Sequence, residues 1–287
     1  METSEQQSTV PAITLTGRSR AGRDLGAAIA VGLGLGAVVI ATLVLYRPGF
    51  VIVVGLAVVI SLWELVKALE ARDARPPVVP LLVGAVSMLA LTYVRGTDGL
   101  VISFMLTVLA CVVWRLADGA RGYFRDISTT VFIVTYVPLL ASFAVLLVVP
   151  EDGVARVFAF IVTVVCSDVG GYAAGVLLGR HVMATSISPK KTWEGFAGSA
   201  ALSALAGALF LELALDGVWW QGVLYGLAIA AAATLGDLGE SMIKRDLGVK
   251  DMGSLLPGHG GLMDRMDSLL PSAAVAWILL SSFVPLP

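Results

Sequence analysis

The chain alternates between long, unbroken apolar runs and short polar breaks. A membrane-spanning helix needs roughly 20 predominantly apolar residues. With that window nine runs stand out, at about 25–46, 50–69, 78–94, 100–117, 127–149, 154–179, 196–215, 218–244 and 268–286, the third of them short. The runs are continuous and do not alternate with period two, so the pattern predicts helices and not strands. Residues 1–24 are polar, rich in Ser, Thr, Gln and Gly, and predict a disordered tail. A secretory signal would place a shorter apolar stretch nearer the start, so the first run reads as a retained span. The expected fold is all-α: a polytopic integral membrane protein with about nine transmembrane helices. It divides into the tail (1–24), an N-terminal set of helices (25–150) and a C-terminal region (151–287) that carries the polar loops.

Composition supports this and removes alternatives. Of 287 residues, 57% are hydrophobic and 14% charged, against roughly 25% charged in a typical soluble domain. That excludes a soluble globular enzyme. A disordered chain needs low hydrophobicity and high net charge, and the formal net charge here is −2. With 19 Lys+Arg against 21 Asp+Glu there is no basic surplus for nucleic acid. Cys111 and Cys166 lie inside apolar runs without partner spacing and read as core residues. Under the nine-span count, 16 Lys+Arg fall on the side of the N-terminal tail. Only Arg47, Arg95 and Arg156 fall on the other. By the positive-inside rule the N-terminus is then cytoplasmic and the C-terminus faces away from the cytoplasm. There is no repeat of solenoid period and no clear inverted symmetry between the halves.

Most polar residues crowd into two regions expected on the cytoplasmic side, 167–195 and 236–268. Asp168 falls well inside the sixth run, where an acid costs roughly 2.5–3.5 kcal/mol on insertion scales. Gly171, Gly175 and Gly179 share its face with Tyr172 and would let another helix approach closely. A packing groove with one satisfied acid is the alternative. Asp237 lies near the end of the eighth run, on one helix face with Thr234, Ser241 and Lys244. Glu240 has the spacing for an ion pair with Lys244. The segment 244–267 is the densest in charge. Pro257-Gly258 signals a turn, and His259, Gly260 and Gly261 offer backbone that can approach a ligand closely. Asp264 and Asp267, three apart, would point along one side of the first turn of the last span. Ser188-Pro189-Lys190-Lys191-Thr192 reads as a helix start: a Ser cap, Pro at the first helical position, then bases suited to phosphate. A plain basic anchor loop is the alternative there. Together the regions offer acids for a divalent cation and six bases, Lys190, Lys191, Lys244, Arg245, Lys250 and Arg265, for phosphates. That combination suits phosphoryl or nucleotidyl transfer at a membrane face.

The run from Ser241-Met-Ile-Lys-Arg through Lys250-Asp251 to Pro257-Gly-His-Gly-Gly-Leu-Met-Asp-Arg-Met-Asp267 resembles the motif of the phosphatidate cytidylyltransferase (CDP-diacylglycerol synthase) family without a mismatch. Ser188 to Gly195 (SPKKTWEG) and the Ser167-Asp168…Tyr172…Gly175…Gly179 pattern are also similar to it. Val169, Gly170 and Gly171 around Tyr172 depart mildly from the Thr and Ala often found there. The resemblance covers roughly the last 120 residues; the first 150 match only as an apolar, multi-span region.

It implies a membrane-embedded enzyme, expected to be a homodimer. Such an enzyme makes CDP-diacylglycerol and pyrophosphate from CTP and phosphatidic acid with Mg²⁺. It implies that Asp237 and Asp264 hold the metal, with Asp168 a further candidate, and that a monovalent cation such as K⁺ can share the centre. The catalytic set expected on this basis is Asp237, Lys244, Arg245, His259, Asp264 and Asp267. Substrate binding is expected from Ser188, Lys190, Lys191, Thr192, Ser241, Lys250, Gly260, Gly261 and Arg265. Because the attacking phosphate is already ionised, His259 is expected to bind and not to abstract a proton. Two alternatives remain: a CTP-dependent transferase with another lipid acceptor, and an ion or proton transporter. A CDP-alcohol phosphatidyltransferase is suggested only by Asp118-Gly119-Ala120-Arg121, whose spacing does not fit, and the match is read as chance. Glu64 and Glu212, inside apolar runs, have no role that the sequence discloses.

Overall fold

The computed structural model describes residues 21–253 and 260–284, with side chains from residue 32 onward. In chain order the helices are α1 (Ala21–Leu45), α2 (Arg47–Glu70), α3 (Val78–Leu116), α4 (Tyr123–Val134), α5 (Leu140–Val148), α6 (Gly153–Leu178), α7 (Trp193–Ala214), α8 (Trp219–Leu247), α9 (Met263–Met266) and α10 (Leu269–Phe283). Two short strands, β1 (Val182–Ala184) and β2 (Ser188–Thr192), lie between α6 and α7.

Seven helical stretches among the described residues are long and apolar enough to cross a membrane. One of them, α3, has 39 residues and would reach about 58 Å if straight, about twice the hydrocarbon thickness. It is not straight. Gly96 has φ 60 and ψ −139, a conformation that essentially only glycine adopts. There the chain doubles back: a side chain on Gly99 would strike the Leu91 carbonyl, and one on Gly84 would strike Thr107. The arms 78–95 and 97–116 are thus two antiparallel spans. With α1, whose described portion Gly32–Leu45 is a shorter apolar helix, they account for the expected count of about nine. The span 123–148 is helical throughout but widens into a π-turn at Thr135–Leu139 around Pro138, which has no N–H to give an α-helix.

Small residues set the packing of the C-terminal helices. A side chain on Gly170 would strike the Gly198 carbonyl, and Ser199 Oγ donates to the Ser167 carbonyl at 2.7 Å, so α6 and α7 lie backbone to backbone. Gly207 against Gly222, and Gly226 against the Ser203 carbonyl, do the same for α7 and α8. Two apolar cores fill the rest. One gathers Leu62, Leu65, Leu81, Met88, Val145 and Met263. The other gathers Leu43, Phe160, Leu211, Tyr225, Ile229 and Ala276.

Charged side chains tie the two ends of the bundle. At one end Arg47 donates to the carbonyls of Pro150 (2.8 Å) and Glu151 (2.5 Å). Arg156 there donates to Leu280 and Val284 carbonyls and grips Asp152. At the opposite end Arg72 donates to the carbonyls of Asp246 (2.5 Å) and Leu247 (3.3 Å), where α8 stops. Arg115 there meets Asp126 at 2.8 Å.

The structure corrects one local expectation. Residues 188–192 are not a helix start. They form a strand paired antiparallel with 182–184, and the helix begins four residues later with Thr192 as its cap, its Oγ1 accepting from Gly195 N at 3.1 Å. Proline is tolerated at a strand edge as well as in a first helical turn, and the Ile187 carbonyl is held by Arg245 Nε at 2.5 Å, which fixes the hairpin beside α8.

Candidate active site

The site lies at the end of the bundle where α8 terminates and α9 begins. Four elements supply it: the second half of α6, the β-hairpin leading into α7, the last turns of α8, and α9. Two cavities meet there. One, of about 310 Å³, lies between α6, the hairpin, α7 and α8. Its lining includes Asp168, Tyr172, Lys190, Lys191, Thr192 and Asp237, and the small residues Gly171, Gly175, Gly195 and Ser199 make room for it. The other, of about 400 Å³, is lined by Asp168, Lys191, Asp237, Ser241, Asp264, Arg265, Asp267 and Ser268. Asp168, Lys191 and Asp237 border both.

The carboxylates are held differently. Asp237 Oδ2 meets Lys191 Nζ at 2.5 Å, both partly exposed. Asp264 is 7% exposed and fully engaged: Oδ1 accepts from Lys244 Nζ (2.9 Å) and Met252 N (3.2 Å), and Oδ2 from Gly261 N (2.7 Å) and Met252 N (3.1 Å). Lys244 also bonds Glu240 Oε2 at 2.7 Å, and Glu240 is wholly buried. Lys244 is therefore a fixed bridge between two acids, and Asp264 is aimed by three donors. Asp267 Oδ1 accepts from Ser268 N at 2.7 Å.

The expected bases separate into two groups. Lys190, Lys191 and Arg265 face the two cavities just described. Lys244, Arg245 and Lys250, with Ser241, line a neighbouring pocket of about 290 Å³ behind Ile187. Ser241 borders both sides. Ser188 sits in β2 without lining either main cavity. Gly260, at φ 77, turns the chain beside Asp264 and Asp251, where an added side chain would touch both carboxylates. His259 lies outside the described residues.

Two contributors had no sequence signal. Glu64 of α2 accepts from Met263 N at 2.9 Å, and Arg72 caps α8. Glu194, in the first turn of α7, accepts from Arg180 N and His181 N and pairs with His181 Nδ1 at 2.5 Å, which closes the base of the hairpin.

The donor chemistry fits a hard divalent cation. Mg²⁺ commonly takes one or two carboxylates and completes its shell with water and substrate phosphate. Among the described residues no three His, Cys, Asp or Glu side chains converge as a ready-made cage. Four carboxylates around one cavity match the looser arrangement.

The family model of the cytidylyltransferase family matches residues 26–283. A phosphatidate cytidylyltransferase of Mycobacterium bovis is 46% identical over 279 residues, covering 93% of this chain and 91% of that protein. The one from Mycobacterium leprae is 46% identical over 278 residues, covering 91% and 89%. A phosphatidate cytidylyltransferase of Helicobacter pylori is 40% identical over 143 residues, half of this chain and 53% of the relative.

Proposed function

The chain belongs to the cytidylyltransferase family, and from that premise we propose that it is a nucleotidyltransferase that moves CMP from CTP to phosphatidic acid, giving CDP-diacylglycerol and pyrophosphate. One observation supports this reading above the others. Asp168, Asp237, Asp264 and Asp267 line a single cavity together with Lys191 and Arg265. Acids and bases mixed around one space at the end of a membrane bundle suit the joining of two phosphate-bearing substrates, one of them a lipid. A proton or ion path would use acids spread through the bilayer depth and would not need the bases.

In this reading the phosphate of phosphatidic acid attacks the α-phosphorus of CTP in line. The new P–O bond forms as the bond to the β-phosphate breaks, and pyrophosphate leaves with its electron pair. The attacking phosphate is already ionised, so the chain's task is placement and charge balance. Lys190, Lys191 and Arg265 bind phosphate oxygens, Lys191 exchanging its partner Asp237 for substrate. Lys244 and the amides of Met252 and Gly261 keep Asp264 aimed. Lys250 and Arg245, on the adjoining pocket, extend the phosphate-binding surface. Asp237 and Asp264, with Asp168 as a third, are the residues that would hold Mg²⁺. The ion supplies charge neutralisation to the transferring phosphoryl group, and a monovalent cation such as K⁺ in the same centre is part of the proposal. The acyl chains remain in the bilayer, and the lipid enters sideways between helices.

The excess of Lys and Arg at this end supports a cytoplasmic active site and N-terminus, and a C-terminus facing away, in a multi-pass cell-membrane protein. Cysteine crosslinking in membranes tests the homodimer expected of the family. The enzymatic test is purified protein with labelled CTP and phosphatidic acid, with Mg²⁺ or with chelator, scoring labelled CDP-diacylglycerol. Asp264→Asn is expected to abolish turnover while membrane insertion stays intact. Near-normal turnover would refute the assignment.

A further inference from the structure

Glu64 lies near the C-terminal end of α2, on a buried face that holds Val58, Ser61, Leu62 and Leu65. It is 7% exposed. Its Oε2 accepts from Met263 N at 2.9 Å, and its Oε1 has no hydrogen bond among the described residues. Its carboxylate fills a slot between two glycines: a side chain on Gly253 or on Gly261 would collide with it. The carboxylate is thus wedged between residues 253 and 261.

A buried carboxylate with a single described hydrogen bond is costly, and a leucine would pack in this buried face without that cost. What the acid does instead is geometric. Met263 N, its partner, belongs to the residue before Asp264. Gly261, which it abuts, donates its N–H to Asp264 Oδ2 at 2.7 Å. The turn 261–264 is therefore gripped from one side by Glu64 and from the other by Asp264 with Lys244. One turn earlier on α2, Ser61 Oγ reaches Met266 Sδ at 3.2 Å, so the same helix face also steadies the end of α9.

We propose that Glu64 is a positioning residue for the transfer reaction: its carboxylate fixes the 261–264 turn and thereby aims Asp264 into the cavity. The inference rests on the role proposed for Asp264. It predicts a length requirement and no charge requirement, because the function served is to accept one N–H at a set distance.

The test compares E64D, E64Q and D264N with the wild type in full-length protein purified in detergent. Turnover, KM for CTP, KM for phosphatidic acid, Mn²⁺ affinity by EPR and melting temperature are measured. E64Q keeps an acceptor oxygen at full reach, so its turnover should stay within about 3-fold of wild type. E64D withdraws the carboxylate by one methylene. Its kcat should fall about 10–100-fold, with Mn²⁺ affinity weakened over a similar range, while both KM values and the melting temperature hold. Wild-type turnover in E64D beside an inactive D264N overturns the inference and leaves the functional reading intact. Losses in E64D and E64Q that run in parallel, or that track a lowered melting temperature, also overturn it. An active D264N overturns the role of Asp264 itself.

Discussion

Asp126 offers the sharpest separation of scaffold from site. Its carboxylate is 1% exposed. Oδ2 meets Arg115 Nε at 2.9 Å and Nη2 at 2.8 Å, and Oδ1 accepts from Arg75 N at 3.0 Å. Arg115 is itself 5% exposed on its side chain. Replacing Asp126 by Leu removes the buried anion of that guanidinium and leaves it only the exposed Asp118, at 3.5 Å, where breaking a fully buried pair costs about 3–5 kcal/mol. Arg115 keeps the carbonyls of Arg121 (2.9 Å) and Gly119 (3.4 Å), which argues for the lower end, about 3 kcal/mol. At about 2–4 °C per kcal/mol for a chain somewhat smaller than this one, the melting temperature should drop on the order of 6–12 °C. Removing both charges, as Arg115→Met with Asp126→Leu, should recover most of this. The lost bond to Arg75 N would remain as a residual cost of about 1 kcal/mol. The assay is thermal unfolding in detergent, run as a double-mutant cycle, with transferase activity measured on the folded fraction. Coupling of about 2 kcal/mol or more is expected, with specific activity unchanged, because the pair borders neither active-site cavity. Single variants that melt within 2 °C of wild type, or single effects that simply add in the double variant, would refute the reasoning.

Two further outcomes follow from the geometry. Lys191→Met removes a charge-assisted contact worth roughly 1.5–3 kcal/mol and should raise KM for CTP at least about 10-fold, read by titrating CTP at saturating lipid. Gly226→Ala drives a methyl into the Ser203 carbonyl between α8 and α7 and should cost about 1–3 kcal/mol. Gly239→Ala, on the same helix with open space around it, should be neutral or stabilising by up to about 1 kcal/mol, so the pair of melts separates close packing from helix propensity.

The spans were legible because a bilayer demands long apolar runs, and the reversal at Gly96 could be read as a break between two of them even though the helix there is nearly continuous. The acids and bases of 167–195 and 236–268 were legible because charge is scarce: each polar residue stands out against a hydrophobic background. What escaped was set by partners distant in the chain. Glu64 accepts from a backbone N–H 199 residues later, and no periodicity or spacing encodes such a pairing. The β-hairpin escaped for a different reason. Ser-Pro-Lys-Lys satisfies the rules for a helix start as well as those for an edge strand, and Arg245, 58 residues on, holds the neighbouring Ile187 carbonyl. A usable signal was nevertheless present: Thr192 stands directly before the apolar run with Glu194 in its first turn, a pattern that marks a helix N-terminus at 192.

The distance between Glu64 and its partner also bears on how the protein is made. At roughly 5–20 residues per second, the ribosome needs on the order of 10–40 s to go from Glu64 to Met263. Through that interval α2 lies in the membrane with an acid lacking its native N–H, and Arg72 waits comparably long for the end of α8. The Arg72 contact closes when α8 is complete, and the Glu64 contact only when α9 arrives. The active site is therefore the last part of the molecule to assemble, and an interrupted chain that ends before α9 has no means of completing it.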